Sequence, residues 1–479
     1  MQRERFLERF SKEIDDGTAA VFAGAGLSVS AGYVDWKKLL ADVAHDLGLD
    51  IDREDDLVGV AQFHVNRHGG NRGHLNQLIL EEFPAEVEPT RAQRLIAKLP
   101  IATIWTTNYD RLLERAIEAE QKIADVKFQV PQLAHTKPRR DATIYKMHGD
   151  VENPGSAVIT RDDYERYERD RGAFLNALAG DLTAKTFLFL GFSFTDPNLE
   201  RVLAHIRVRF QENQRPHYAL FKKVARKDFE GDSAENDFEY ARVKQSLVLE
   251  DLRRFNINAV LVDEYSEITE ILTELYRRHR SRYVFVSTAA ADFSPWGEQQ
   301  VMGFMAKLGK LIAQQGFRLV SGVGLGTGSA LLGGALYEIS GDVRKKLDHD
   351  LIIRPFPQHF PDEEERARHW AAYRKEMIGR AGIALFLFGN KVVDDQIVPS
   401  DGMRAEFEIA REEGLLTIPI PATGSISQTL YDEQKAMGEV WGTSEVAQRL
   451  ERLPMEIESL DELLGPIMDL LDASRRSAE

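Results

Sequence analysis

The chain contains no cysteine. That absence excludes a disulfide framework, a thiolate nucleophile and any cysteine-ligated zinc centre. Also missing is an apolar run approaching the ~18 residues of a membrane span. The opening stretch Met1-Gln2-Arg3-Glu4-Arg5-Phe6-Leu7-Glu8-Arg9-Phe10 interleaves charges with apolar side chains, where a secretory leader needs an unbroken apolar core. A cytoplasmic protein with no membrane partner is therefore expected. Positive charge is scarce: 61 Lys and Arg against 77 Asp and Glu give a formal charge of −16. Nucleic-acid binding draws on clustered basic residues, so no nucleic-acid partner is expected.

What is present is ordinary globular composition, 43% hydrophobic and 29% charged over 479 residues, a length that suggests two to three domains. Phe6, Leu7, Phe10 and Ile14 share one helical face in residues 4–16. Ala19-Ala20-Val21-Phe22-Ala23 then reads as a buried strand that breaks into Gly24-Ala25-Gly26-Leu27-Ser28. Gly24 and Gly26 would let backbone N–H groups approach a diphosphate. The turn departs from the G-x-G-x-x-G fingerprint, because Val29 stands where the third glycine belongs.

Residues 36–99 read as largely helical, with Leu39, Leu40, Val43 and Leu47 spaced for one buried face. Further strands are expected at 101–105, 143–147 and 186–190. They end at Thr106-Thr107-Asn108-Tyr109-Asp110, His148-Gly149-Asp150 and Gly191-Phe192-Ser193-Phe194. Asp196 can cap a following helix with Pro197 at its first position. The charged segment 225–254 is expected as an exposed helical excursion, and Val260-Leu261-Val262 as a return to the first sheet.

Strands alternating with helices imply parallel βαβ units in an α/β fold. Ligands in such sheets sit outside the carboxyl ends of the strands. Here four strand ends carry small or polar residues. Asn108 can donate to or accept from a ribose or a water, His148 can take a proton near neutral pH, and Ser193 can contact phosphate or ribose. No metal is demanded. Each residue also has a plainer role available: His148 as a satisfied structural group, Asn108 as a helix start, Asp110 as a first-turn acid.

The basic run Arg277-Arg278-His279-Arg280-Ser281-Arg282 reads as a solvated connection, with binding of an anionic ligand or of the other domain as the alternative, and a domain boundary is placed near 282. Residues 283–479 repeat the α/β theme. A strand at 283–287 ends on Ser287, a helix spans about 298–314, and Arg318-Leu319-Val320-Ser321 runs into Gly322-Val323-Gly324-Leu325-Gly326-Thr327-Gly328-Ser329, again an anion cradle in form. Strands follow at 351–355, 383–388 and 417–420, and the tail 443–479 reads as helical. Two nucleotide-type domains suggest either a catalytic domain beside a sensing domain or two substrate domains sharing one cleft. The pattern alone does not choose between them.

The motifs Gly24-Ala25-Gly26-Leu27-Ser28, Thr107-Asn108-Tyr109-Asp110, His148-Gly149-Asp150 and Gly191-Phe192-Ser193 occur in the order of the NAD-binding motifs of sirtuins, a resemblance covering roughly residues 1–280. It implies an N-terminal sirtuin-like parallel sheet with helical insertions. Ala23, Gly24, Ala25, Gly26, Ser28, Thr107, Asp110, Gly191 and Ser193 would contact NAD+, and Asn108 and His148 would be catalytic. Sirtuin deacylases carry a four-cysteine zinc ribbon, which a chain without cysteine cannot form. Ile159-Thr160-Arg161-Asp162-Asp163-Tyr164 resembles instead the zinc-free sirtuin-like proteins of bacterial defence. Water would then intercept the ribosyl cation, giving NAD+ hydrolysis without a metal. A protein deacylase and a non-catalytic nucleotide sensor are the alternative readings.

Residues 283–479 resemble the SLOG family of Rossmann-like modules that bind nucleotide signals, and the whole chain resembles the Thoeris anti-phage effectors, sirtuin-like NADases fused to a SLOG domain. The resemblance implies activation by a cyclic ADP-ribose isomer, made by a TIR-domain partner protein, in a homo-oligomer of four subunits or more. Ser287, Gly322, Gly324, Gly326, Arg374, Lys391 and Glu406 would bind the signal. Without it, Arg374 reads as an exposed helix residue and Lys391 as a loop charge.

Overall fold

A computed structural model describes every residue except 1, 85, 195, 358, 361, 438–443 and 479. The chain divides into two compact units, Met1–Tyr276 and Arg277–Glu479. The first is built on strands β1 (Ala19–Ala23), β2 (Thr103–Thr106), β3 (Ala124–Lys127), β4 (Ala142–Lys146), β5 (Thr186–Leu190), β6 (His217–Lys222) and β7 (Ile257–Val262). They form one sheet in the order β3-β4-β2-β1-β5-β6-β7, parallel at every pairing.

β1 is central, and all five of its residues are buried. The alternation of side chains along a strand sends Ala19, Val21 and Ala23 into one core, with Phe6, Leu7, Phe10 and Ile14 of the first helix. Ala20 and Phe22 face the opposite core, with Trp105, Phe174, Phe187 and Phe189. Burial on both faces is why β1 is apolar throughout and β5 is apolar after Thr186. The expected helical region is a set of short helices that includes Ala41–Leu47, Leu57–Arg67 and Gly73–Glu82. Leu39, Leu40 and Val43 lie in its core. The charged excursion is the helix Ala234–Arg253, mostly exposed.

Two strands of this unit escaped sequence reading. β3 is four residues long with alternating charges, Ala-Asp-Val-Lys, and β6 opens on a histidine and ends on a lysine. β3 lacks the apolar run that marked β1 and β5, and in β6 the four apolar residues are bracketed by His217 and Lys222. The basic run at 277–282 is also corrected. Arg277–Arg280 is the last turn of the helix Ser266–Arg280, Arg278, His279 and Ser281 are buried, and the Arg280 guanidinium donates to the carbonyls of Ala381 and Glu413. Lone C-terminal carbonyls and strand-end carbonyls inside a fold need donors, and these arginines supply them.

The second unit holds β8 (Tyr283–Ala289), β9 (Arg318–Ser321), β10 (Leu351–Ile353), β11 (Ile383–Phe388), an antiparallel hairpin of β12 (Asn390–Val393) and β13 (Gln396–Pro399), and β14 (Leu416–Pro419). The main sheet is parallel in the order β10-β9-β8-β11-β14. The chain builds outward from β8 to β10, then returns to the other side of β8 with β11, so a topological switch point lies between β8 and β11. Helices occupy Ser444–Glu451 and Leu464–Ala478 of the tail; residues 443 and 479 of the tail lie outside those described. No helix among the described residues is long and apolar enough to cross a membrane.

Candidate functional site

The carboxyl ends of β1, β2, β4 and β5 open onto one cavity of about 510 Å³, a size typical of small-molecule sites. Ala25, Gly26, Ser28, Thr107, Asn108, Asp110, His148, Gly191 and Ser193 line it, so nine of the sequence-derived residues meet there. Ala23 is buried within β1 and Gly24 lies behind the wall, so neither lines the cavity.

The glycines serve a purpose other than the one expected. Gly24 N–H donates to Leu190 O at 2.8 Å and Gly26 N–H to Gly191 O at 3.0 Å, so both donors are engaged by backbone. A Cβ on Gly24 would stand 2.4 Å from Gly191 O, and one on Gly191 would stand 2.3 Å from Leu27 N. The turns after β1 and β5 therefore cross in direct backbone contact, which side chains would forbid.

That crossing sets the Asn108 amide. Its Nδ2 donates to Gly24 O at 3.0 Å and to Ser28 Oγ at 2.9 Å, and Ser28 Oγ donates to Asp110 Oδ2 at 2.7 Å. Asp110 Oδ1 accepts from Leu112 N–H at 3.0 Å. Asp110 is thus a buried anchor for Ser28, and from the residue before the N-cap Arg111 it also takes the first N–H of the helix Leu112–Ala119. The loops behind Asn108 and His148 are joined by Lys146, whose side chain is fully buried. Its Nζ donates to Tyr109 O at 3.0 Å and Asp110 O at 2.5 Å, and pairs with Glu114 at 3.1 Å and with Asp150. Burial opposes the charge on Lys146, and Glu114 and Asp150 outweigh it, leaving its pKa raised.

His148 is buried with Nε2 3.1 Å from Asp196 Oδ2. The contact is an ion-pair approach without hydrogen-bond geometry at Nε2. Tyr164 and Tyr167 present their ring edges or faces to the imidazole at 5.6 and 6.2 Å. Asp196 does cap the helix Pro197–Phe210, accepting from Leu199 N–H through Oδ1 at 2.9 Å; its second oxygen is the histidine's partner. Burial pushes the Asp196 carboxyl up, but His148 and the N–H groups of Leu199 and Asn198 outweigh it and hold the pKa below the usual carboxylate range. Sequence reading assigned Asp196 only the cap. A carboxylate 48 residues from the histidine carries no local signal of that pairing.

A second cavity, about 320 Å³, opens at the ends of β8 and β9 and includes Ser287, Gly322, Gly324, Arg374 and Glu406. Arg374 is mostly buried, correcting its reading as an exposed helix residue. Its guanidinium lies over the rings of Phe356 at 4.9 Å and Trp370 at 5.5 Å, and its Nε is 3.6 Å from Glu406 Oε1. Stacking of this kind orients a guanidinium for bidentate contact. Ser287 Oγ donates to Glu406 Oε2 at 2.6 Å. Burial raises the Glu406 pKa against the pull of Ser287 and Arg374. Gly326 and Lys391 do not line this cavity. Lys391 sits on the β12–β13 hairpin and pairs with Asp401 at 2.5 Å, while Gly326 has φ +77° and packs where a Cβ would stand 2.0 Å from Ala290 O.

Residues 102–241 match a SIR2-like domain, and residues 267–474 match the Sir2- and TIR-associating SLOG family, STALD. Three relatives bearing the name NAD(+) hydrolase ThsA align along nearly the whole chain. The one from Bacillus cereus (strain MSX-D12) is 44% identical over 472 residues, 98% of each chain. That from Acinetobacter baumannii (strain 532279) is 44% identical over 480 residues, again 98% of each. The Enterococcus faecium protein is 42% identical over 481 residues, 99% of each.

Proposed function

The chain belongs to the ThsA family of NAD(+) hydrolases, and from that premise we propose that residues 1–282 cleave NAD+ to nicotinamide and ADP-ribose in the first cavity. The observation that carries this reading is the convergence of four parallel strand ends on one cavity that holds both Asn108 and the His148–Asp196 pair. Hydrolysis breaks the N-glycosidic bond, nicotinamide departs with the bonding electrons, and water adds to the ribosyl carbon and gives up a proton. His148 suits the proton's destination. Its Nε2 is held against a carboxylate that would stabilise the imidazolium, as a base oriented by a third group requires. Asn108, locked between Gly24 O and Ser28, is fixed for contact with the ribose or the attacking water. Ala25, Gly26, Ser28, Thr107, Gly191 and Ser193 would form the walls against which NAD+ lies.

Residues 283–479 would sense a cyclic ADP-ribose isomer in the second cavity. Arg374 offers a stacked cation for the diphosphate, and Glu406 and Ser287 offer partners for ribose hydroxyls or a base edge. Activation requires that the signal bind the active state more tightly than the resting one. A TIR-domain protein as the source of the signal, a homotetramer or larger assembly, a cytoplasmic setting and a role in anti-phage abortive infection complete the proposal; they rest on the family. The test is incubation of purified protein with NAD+, with and without candidate cyclic ADP-ribose isomers, following nicotinamide and ADP-ribose. Intact NAD+ under every condition would leave a nucleotide sensor, and release that depends on an acylated peptide would make the protein a deacylase.

A further inference from the structure

Among the described residues, one cluster with metal-ligand chemistry lies apart from both cavities: Asp46, His64 and His68. Asp46 is on the helix Ala41–Leu47, His64 on the helix Leu57–Arg67, and His68 is that helix's C-terminal cap. The four-residue spacing of the histidines puts both imidazoles on one helical face. Their rings are 4.2 Å apart.

Three features point to a ligand. The first is distance. Asp46 Oδ2 stands 3.5 Å from His64 Nε2 and 3.8 Å from His68 Nε2. Tetrahedral zinc with bonds of ~2.0–2.2 Å sets neighbouring ligand atoms ~3.3–3.6 Å apart, so an ion fits after movements of a few tenths of an ångström. The second is orientation. His68 Nδ1 lies 2.8 Å from the carbonyl oxygen of His64, a bond that gives Nδ1 the proton and leaves the Nε2 lone pair toward Asp46. Metal-ligating histidines are characteristically held by such a carbonyl. The third is convergence. His64 is fully buried, and its Nε2 faces a further imidazole as well as Asp46: His74 Nδ1 stands 3.0 Å away, so four groups with metal-ligand chemistry gather at one point.

We propose that Asp46, His64 and His68 bind a divalent cation of the zinc class, with water or His74 completing the coordination. Two imidazoles and a carboxylate suit zinc and its transition-metal neighbours better than magnesium or calcium, which favour all-oxygen sites. The ion would clamp the helix Ala41–Leu47 to the helix Leu57–Arg67, whose first residues, Leu57 and Val58, wall the first cavity. The site thus stiffens one side of that cavity from two turns away, and its existence does not depend on the reaction performed there.

The test uses the full-length, tag-free protein after chelator treatment. Calorimetric titration with Zn2+ should show saturable binding of one ion per chain, Co2+ should give the visible absorption of a four-coordinate site, and Zn2+ should raise the melting temperature. Asp46→Ala and His68→Ala, both at half-exposed positions, should melt like the metal-free wild type. Each should bind Zn2+ at least about tenfold more weakly and lose the thermal shift. His68→Gln repeats the test with a bulkier side chain should His68→Ala disturb the helix end. Absence of saturable binding by the wild type, or wild-type affinity in either position's variant, overturns the proposal.

Discussion

Replacing Asp196 by asparagine separates two tasks that one carboxylate performs. Oδ1 caps the helix Pro197–Phe210 through Leu199 N–H, and Oδ2 faces His148 Nε2. Asparagine is as good a cap as aspartate, whereas alanine forfeits the bond at a cost of about 1 kcal/mol. Asp196→Ala should therefore be about 1 kcal/mol less stable than Asp196→Asn. Both lose the negative charge beside the ring. Unit charges 3.1 Å apart attract by ~5 kcal/mol at an effective dielectric of ~20. Desolvation of a buried pair offsets much of that. A net ~1.4–2.8 kcal/mol on the protonated histidine corresponds to ~10–100-fold in rate.

The pH dependence follows from the lowered Asp196 pKa. With the folded value below the unfolded value of about 3.9, the carboxylate's contribution is complete above that pH and is lost as pH falls through the folded value. The wild type should lose stability in this acid range more steeply than Asp196→Asn. The assays are initial rates of nicotinamide release, under the ligand condition that gives the wild type its highest rate, and urea denaturation from pH 7 into the acid range. A wild-type rate in Asp196→Asn refutes the histidine pairing, and equal stability of the two variants refutes the division of labour between the oxygens.

His148→Ala should lower nicotinamide release by ~10²–10⁴-fold, the usual cost of a lost general base; undiminished release removes it from the mechanism. Lys146→Met strands Glu114 and Asp150 as buried charges and should destabilise the first unit by ~3–5 kcal/mol in denaturant unfolding. A change under 1 kcal/mol would mean that the carboxylates find protons or water at little cost. Arg374→Ala should abolish the response to a cyclic ADP-ribose isomer in protein that circular dichroism shows to be folded, and activation at wild-type concentrations of the isomer would discard the second cavity as the sensing site.

The strand ends were legible because a strand buried on both faces is largely apolar, as Ala19–Ala23 is throughout and Thr186–Leu190 is after its first residue. The α/β class followed from their alternation with helices, and the two family matches bear out the sirtuin-like and SLOG assignments. Pairings across the fold were not legible. Asp196 announced a helix cap because a cap is local; its approach to His148 depends on β4 and β5 lying on opposite sides of β1 and β2 in the sheet, which no spacing encodes. Lys146 looked like the polar end of a strand, and only the structure shows two carboxylates and two carbonyls around it. Lys391 read as a loop charge because the short hairpin β12–β13 that carries it, with exposed Val392 and Val393, gave no alternation strong enough to read.

The glycine-rich turns read in the sequence as anion cradles in both units, and the structure changes what they signify. In the first unit Gly24 and Gly26 spend their N–H groups on Leu190 and Gly191. In the second, a Cβ on Gly324 would stand 1.5 Å from Thr288 O, and one on Gly326 would meet Ala290 O. Each set lets the turn after one strand pass against the backbone at the end of its neighbour. Such close passage is needed where parallel strands release their loops side by side, which is also where these sheets open clefts. Glycine density in a strand-to-helix turn therefore locates the cleft without specifying the ligand. The chemistry comes from side chains that the crossing turns hold in place: Asn108 on Gly24 O in one unit, and Ser287 with Glu406 beside Gly324 in the other.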